Sequence, residues 1–521
     1  MCDCVTGKVP EDEGSDELGF EKELWASANK LRGSMDASEY KHIVLPLVFL
    51  KYMSDAFKSV HSELVDLGED PDDRDEYTMR GVSWVPEKGQ WSNLVENALS
   101  SDIGIMIDDA MEAIEKANPE LRGVLPKTFG QTDLPSRILG DVVTLIGNLD
   151  SLGDAEARSK DIIGRVYEYF IGMFAEYEKR GGGEFYTPRS VVRLLTEMLE
   201  PYGGRIYDGC CGSGGMFVQS TRFIERHSGR EDLSIYGQEY NKTTWRLAIM
   251  NLAIRKIYTQ NIAHGDTLRE PDPFHLTLRA DYTMVNPPFN IKDWGHESLL
   301  DDPRWKYGIP PKGNANYAWI QHYLHHLSEQ GLAGIVMSNG SLSTTKKEEK
   351  VIREGIINDD KLDCVLMLPD KLFTNTGISA CIWILANDKT DKRFRDRRGE
   401  TLFIDCRGMG EMKNRTLREL TSEDVCKIAC TYRTWKDKDR YDQYQDERGF
   451  CKAVTTENEI KEHEYIIVPG RYVGAPPLPD DGEPFEQKMA RLTKELGEHF
   501  AESRRLEDEI RKNLGDLGFD F

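Results

Sequence analysis

At 521 residues the chain is too long for one compact domain, and 39% hydrophobic with 30% charged residues is the balance of a soluble globular protein. Its 67 Lys and Arg stand against 90 Asp and Glu, a net charge of −23, which argues against a chain that grips nucleic acid through its own bulk charge. The apolar run 43–50 is too short to cross a bilayer and contains Pro46, and the acidic start lacks an apolar signal core, so a cytoplasmic protein is expected.

Residues 1–18 are polar and acidic and read as a disordered tail. Helical patterns dominate from there to about residue 155. Leu24, Ala28 and Leu31 recur at helical spacing, as do Val44, Leu47, Val48 and Tyr52, and only a short piece near 82–85 has strand character. A helix over 161–179 leads into Gly181-Gly182-Gly183-Glu184-Phe185-Tyr186-Thr187-Pro188-Arg189. The triple glycine is a hinge, Thr187 is placed to N-cap a helix over 189–199 with Pro188 at its first position, and Phe185 and Tyr186 can cover a cationic ligand.

An α/β pattern runs from there to about residue 475. The segment 204–208 reads as a strand ending at Asp208, followed by Gly209-Cys210-Cys211-Gly212-Ser213-Gly214-Gly215 and a helix from about Met216. Strand, glycine-rich turn and helix in that order form a nucleotide-binding unit, in which glycine lets the backbone approach a ligand. No Lys-Ser or Lys-Thr follows, so the loop is not a P-loop. A second strand, 234–241, carries Glu239, placed to accept ribose hydroxyls; a third, 261–264, leads to Asp266, within reach of an adenine amino group; Asp208 is placed to face an ammonium.

The fourth strand, 282–285, ends in Asn286-Pro287-Pro288-Phe289. An amino group conjugated to a planar ring is a weak nucleophile because its lone pair is delocalised. The Asn286 side-chain oxygen and the Pro287 carbonyl can both accept from one NH2 group, which favours pyramidal nitrogen. The two prolines stiffen the turn, and Phe289 offers a face for stacking. Alone, the tetrapeptide is equally a proline-rich turn capping a strand; after three acidic strand ends it reads as a catalytic turn.

Later strands are expected at 334–337, 364–368 and 380–385, with a further pair at 402–404 and 465–468. The basic clusters Lys346-Lys347-Lys350, 389–398 and 433–440 each read as solvated loops in preference to a DNA-binding patch. Ten scattered cysteines read as reduced structural thiols; Cys426 and Cys430 have no second ligand pair nearby, so no metal site is expected. Residues 469–483 read as a linker. Phe485, Met489, Leu492, Leu496, Phe500, Leu506 and Ile510 then form a narrow stripe on a charged helix, suited to a coiled-coil seam or to packing on its own domain.

Together the motifs resemble the DNA adenine-N6 methyltransferases of the gamma arrangement. More closely, the chain resembles the modification (M) subunit of type I restriction–modification systems. Leu31-Arg32-Gly33-Ser34-Met35-Asp36 and 44–52 carry the resemblance, with Glu184 to Arg189, Cys211 to Gly215, Asn286 to Phe289 and Met337-Ser338-Asn339-Gly340. One departure is Asp208-Gly209, where the family usually has Asp-Pro; a looser turn is expected.

The resemblance implies a Rossmann-like methyltransferase core over 156–475, an N-terminal helical domain over 19–155, and a linker with a partner-binding helix over 476–521. It also implies S-adenosylmethionine as cofactor and double-stranded DNA as substrate. The partners it implies are a specificity (S) subunit, a second copy of the chain and a restriction (R) subunit. Methylation of a protein glutamine or of a guanine amino group in ribosomal RNA uses similar turns, but without the long helical domain and the C-terminal helix.

Overall fold

A computed structural model describes every residue except 1–18, 34, 150–161, 178–186, 228–232, 270–275, 374–376, 378, 477–484, 518 and 520–521. The acidic tail, the triple glycine, Glu184, Phe185 and Tyr186 therefore lie outside the described residues. Two units result, residues 1–474 and 475–521.

The first unit is built on a nine-stranded sheet. Its strands are β1 (Gly204–Asp208), β2 (Leu233–Glu239), β3 (Ile262–His264), β4 (Ala280–Val285), β5 (Leu327–Ser338), β6 (Leu362–Met367), β7 (Ala380–Ala386), β8 (Glu400–Asp405) and β11 (Cys451–Thr455). The spatial order is β11-β8-β6-β7-β5-β4-β1-β2-β3. Only β7 and β11 run antiparallel to their neighbours; β9 (Glu411–Met412) and β10 (Arg418–Glu419) form a separate ribbon. Every residue of β6 and β7 is buried, as a strand covered on both faces requires.

Pairing runs outward from β1 to β2 and β3 on one side and to β4 and β5 on the other. The β1/β4 gap is thus the point where strand order reverses, and a crevice opens beyond the strand C-termini there. Register brings Asp208 opposite Gly237 and Glu239 opposite His264, so the acidic strand ends share one rim of the sheet.

Helices Ala37–Leu67, Ile103–Ala117, Ser136–Gly147 and Ile162–Tyr177 form most of the N-terminal bundle. Its apolar residues and those on one face of the sheet make one continuous core. Tyr52 Oη donates to the Ile254 carbonyl at 3.2 Å, and Glu168 receives Arg222 and Arg255 at 3.2 and 3.0 Å. Bundle and sheet are therefore one packed body.

Several local expectations are corrected. Residues 82–85 form no strand among the described residues: Asn118 bonds to their backbone instead, accepting from Trp84 N at 3.0 Å and donating to Trp84 O at 2.8 Å. The partner of β8 is β11, not 465–468; Glu464 and Tyr465 are both left-handed (φ 52° and 56°), which breaks an extended run, and Ile467 N bonds to the Leu342 carbonyl instead. Residues 469–474 are not linker: Pro469 is buried, and Tyr472 stacks on Phe403 with centroids 4.1 Å apart.

The basic clusters are largely fold-building. Lys389 and Asp360 pair at 2.8 Å, Arg397 and Asp363 at 3.0 Å with both side chains fully buried, and Arg433 and Glu197 at 2.6 Å. Lys346 and Lys350 pair with Glu349 and Glu354.

The second unit is the helix Phe485–Asp516, 32 residues and about 48 Å long. Ion pairs one turn apart, such as Arg505 with Glu509 at 2.9 Å, support it. Its stripe, Phe485, Met489, Leu492, Leu496, Phe500, Leu506 and Ile510, is exposed. Among the described residues no helix is long and apolar enough to cross a membrane.

Candidate active site

The loop after β1 is shaped by two left-handed glycines, Gly212 (φ 55°) and Gly214 (φ 81°), a conformation that costs other residues a steric clash. Cys211 N bonds to the Gln238 carbonyl at 3.0 Å, Gly214 N closes a turn on Cys211 O at 2.9 Å, and Asn251 Nδ2 donates to Ser213 O at 2.8 Å. The expected looseness at Gly209 is not found. A Cβ there would meet Tyr207 Oη at 2.7 Å and Thr267 Cγ2 at 2.8 Å, and Thr267 Oγ1 bonds to the Gly209 carbonyl at 2.5 Å. By contrast, a Cβ on Gly212 or Gly215 would meet nothing within 4 Å, so the backbone there faces open space.

Glu239 ties this loop to the next. Its Oε2 accepts from Gly212 N at 3.0 Å and its Oε1 from Asn241 N at 2.8 Å, while Asn241 caps helix Lys242–Ile254. Asp266 similarly uses Oδ1 to accept from Leu268 N and Arg269 N, both at 3.1 Å. The turn after it is clamped by Arg304, which donates to the Thr267 and Leu268 carbonyls at 3.2 and 2.7 Å. Behind the clamp lies a buried chain in which Arg304 Nη1 and Tyr207 Oη are 3.0 and 2.9 Å from the two ring nitrogens of His322.

Asn286 sits where β4 ends. Its Nδ2 donates to Thr187 Oγ1 at 2.9 Å, while its Oδ1 is buried without a hydrogen-bond partner among the described residues. A buried acceptor left unmatched is uncommon and costs about 1–3 kcal/mol, so the site carries an acceptor waiting for a donor. Thr187 is thereby corrected from helix cap to support for Asn286. The helix begins at Arg189 with Pro188 in the cap position, one residue too far along for Thr187 to serve. Downstream, Asn290 is left-handed (φ 59°) and exchanges hydrogen bonds with Asn316 at 2.9 and 3.0 Å, which anchors the turn to helix Asn316–His325.

These elements enclose a cavity of about 500 Å³. Gly212, Ser213, Glu239, Asp266, Asn286 and Pro288 are in its wall. Thr187 supports that wall through Asn286. Asp208, Gly214, Gly215, Pro287, Phe289, Pro188 and Arg189 are not in its wall. Phe289 is half-buried against the core shared with the bundle.

Sequence reasoning missed Tyr240, Trp294 and Trp319, and it missed Lys41, Leu45, Ile171 and Phe174 from the bundle, all of which line the cavity.

Burial raises the Asp208 carboxyl to about 7; the Cys210 N–H bond at 3.0 Å opposes the rise and the Glu239 charge adds to it. Burial also pushes the Cys210 and Cys211 thiols well above their usual range, so neither is a nucleophile. Among the described residues no cluster of His, Cys, Asp or Glu is arranged to hold a metal. The Cys426 and Cys430 sulfurs stand 3.9 Å apart.

The order β3-β2-β1-β4-β5-β7-β6 with β7 reversed, and a crevice rimmed by acidic strand ends, define a Rossmann-like methyltransferase of the S-adenosylmethionine-dependent class. Residues 158–481 match the N-6 DNA Methylase family and residues 20–146 the HsdM N-terminal domain. The chain is 47% identical to the type I restriction enzyme HindI methylase subunit of Haemophilus influenzae, over 81% of this chain and 94% of the relative. It is 37% identical to the MjaIX methylase subunit of Methanocaldococcus jannaschii, over 96% and 92%. A solved type I restriction–modification methyltransferase subunit from Streptococcus thermophilus superposes with a TM-score of 0.74 at 26% identity, over 88% of this chain and 99% of that one. The chain belongs to the methylase (M) subunits of type I restriction–modification systems, which are adenine-specific DNA methyltransferases.

Proposed function

We propose that the chain transfers a methyl group to the N6 of an adenine flipped out of double-stranded DNA, with S-adenosylmethionine bound in the 500 Å³ cavity and the sequence chosen by an S subunit. The observation that carries this is the buried, unpartnered Asn286 Oδ1 in the cavity wall. It is the acceptor that a conjugated amino group needs. The cofactor, when bound, supplies an already activated methyl group. Asn286 and the Pro287 carbonyl hold the amino group and draw its hydrogens away from the ring plane. Thr187 fixes the Asn286 amide so that its oxygen faces the substrate, and Phe289 supports the flipped base.

The residues present fit the cofactor. Gly212 and Gly215 leave room above the loop, Glu239 is a ribose acceptor, and Asp266, in the cavity wall, is an acceptor for the adenine amino group. Glu184, Phe185, Tyr186, Pro188 and Arg189 complete the cofactor site in this reading, with Gly214 and Ser213 shaping the loop. Asp208 supplies negative charge from beneath it, since its Oδ1 is held by Cys210 N. The domain reading is 19–155 helical, 156–475 catalytic and 476–521 linker and partner helix; the family matches over 20–146 and 158–481 support it. A second copy and an R subunit complete the assembly, which works in the cytoplasm on double-stranded DNA.

Glu239→Ala is expected to weaken cofactor binding by roughly 1.5–3 kcal/mol, the value of hydrogen bonds to a charged acceptor. Isothermal titration checks this, and unchanged affinity would remove Glu239 from the site.

The Asp208 carboxyl gives a pH dependence. With its value near 7, a cationic cofactor beside it favours the carboxylate and releases a proton. Affinity should therefore fall as pH drops through 7, approaching about tenfold per unit well below it. The ligand-free fold behaves oppositely. A raised carboxyl keeps its proton when the unfolded chain has lost its own, so stability declines as pH rises from the ordinary carboxylate range to about 7. Asp208→Asn should flatten both profiles; cofactor affinity equal at pH 6 and pH 8 in the unaltered protein would refute the coupling.

A further inference from the structure

Not every cation of this acidic chain is spent on the fold. The basic runs 389–398 and 433–440 are largely taken up by internal ion pairs. Four other cations lie beyond strand ends. Lys292 follows β4, three residues after Phe289. Lys347 opens the helix Lys347–Asn358 after β5, Lys371 follows β6, and Arg415 lies between β9 and β10, in the ribbon after β8. β5 is parallel to β4 and β8 to β6, while β7 runs antiparallel to both β5 and β6. β4, β5, β6 and β8 therefore point the same way, and all four cations belong to the rim where β4 leads into Asn286.

Lys292, Lys347 and Arg415 are exposed and Lys371 is half-buried. Among the described residues no carboxylate pairs with any of the four side chains. Their backbone is nevertheless fixed. Arg418 N donates to the Lys371 carbonyl at 2.8 Å, which clips the ribbon to the β6 loop. Asn414 Oδ1 accepts from Thr416 N and Leu417 N, both at 2.9 Å, which shapes the ribbon's turn around Arg415. Two nearby acids are already engaged, Asp370 with Arg418 at 3.5 Å and Glu419 with Lys413 at 3.8 Å. Asp293, Glu348 and Glu411 belong to the same loops, so the rim offers separate cationic points and not a broad positive patch.

The ligand that suits separate cations along a line is a regular row of anions. β4 and β8 lie four strand spacings apart, roughly 19 Å. At about 3.4 Å per step, that is the length of five to six base pairs of a duplex. We propose that Lys292, Lys347, Lys371 and Arg415 hold the phosphate backbone of double-stranded DNA across the rim, beside the adenine presented to Asn286. This rests on the reading of the chain as a methyltransferase of flipped adenine. Phosphate contacts of this kind set position and carry no sequence information. They leave the choice of site to the partner, and they give this chain its own hold on the duplex despite its net charge.

The test is the salt dependence of DNA binding by the full chain in complex with its S subunit, read by fluorescence anisotropy on a labelled duplex of arbitrary sequence. Lys292→Gln, Lys347→Gln, Lys371→Gln and Arg415→Gln should each lower the slope of log affinity against log salt by about 0.9. The fourfold variant should lower it by about 3–4 per copy of the chain, with cofactor affinity unchanged. Lys392→Gln is the control: it is exposed and lies past β7, at the opposite rim, and should leave the slope as it is. An unaltered slope in the fourfold variant overturns the proposal, as does an equal loss in Lys392→Gln, which would make the effect one of bulk charge. Light scattering separates a protein contact: lost assembly with the S subunit would assign the row to that partner and overturn the proposal. If the unaltered complex binds no duplex at all, the reading of the chain as acting on DNA fails instead.

Discussion

Asn286→Ala is expected to cut the single-turnover rate of methyl transfer by about 10²–10³-fold or more, with cofactor affinity nearly unchanged. Asn286 offers an unmatched acceptor to the amino group, and its contribution grows as the nitrogen loses conjugation. Losing such an interaction lowers the chemical rate without touching cofactor binding. The substitution also frees Thr187 Oγ1, so Thr187→Val is the proper companion. It removes the support and leaves the acceptor, and it should cost much less. Equal losses from the two substitutions would mean that the Asn286–Thr187 contact holds the fold of the site and that the orphan oxygen is incidental.

Deleting residues 484–521 is expected to abolish assembly with the S partner while leaving cofactor binding unchanged. Helix Phe485–Asp516 has no buried residue and an exposed stripe from Phe485 to Ile510, a surface that a second helix can cover. Activity on DNA should go with assembly, because the chain carries a net charge of −23 and many of its basic clusters are spent on internal ion pairs. Leu496→Glu should act in the same direction, since an unpaired carboxylate in a packed seam costs on the order of 3 kcal/mol, roughly a hundredfold in affinity. Light scattering on the mixed subunits reads the result. Co-elution of the truncated chain with its partner at unaltered affinity would make the stripe irrelevant to assembly.

Sequence made much of this visible because the site is built from strand ends. Asp208 and Glu239 end a strand and Asn286 follows one, and parallel pairing carries such positions to one rim of the sheet. Helix Arg189–Leu199 has the expected bounds, although Pro188 takes its cap position and not its first.

What stayed hidden depends on contacts far apart in the chain. Thr187 has the side chain and neighbours of a helix cap, and only folding brings Asn286 within 2.9 Å of it. Leu45 sits in an apolar run where every residue reads as core, so its place in a ligand wall carries no local signal. The basic runs 389–398 and 433–440 look like loop surface until Asp360, Asp363 and Glu197 arrive from other elements to neutralise them. Strand β11, Cys451–Thr455, has an irregular burial pattern and one lysine, so it carries less strand signal than the aromatic, β-branched run 465–468, which two left-handed residues keep out of the sheet.

The central claim is tested most directly by incubating the chain and its S partner with unmodified DNA and methyl-labelled S-adenosylmethionine, then digesting the DNA to nucleosides. The account predicts label in N6-methyl-2′-deoxyadenosine alone for the unaltered chain, and its appearance about 10²–10³-fold more slowly for Asn286→Ala. Label recovered in cytosine, in guanine or in protein glutamine, or adenine methylation at the unaltered rate in Asn286→Ala, would contradict it.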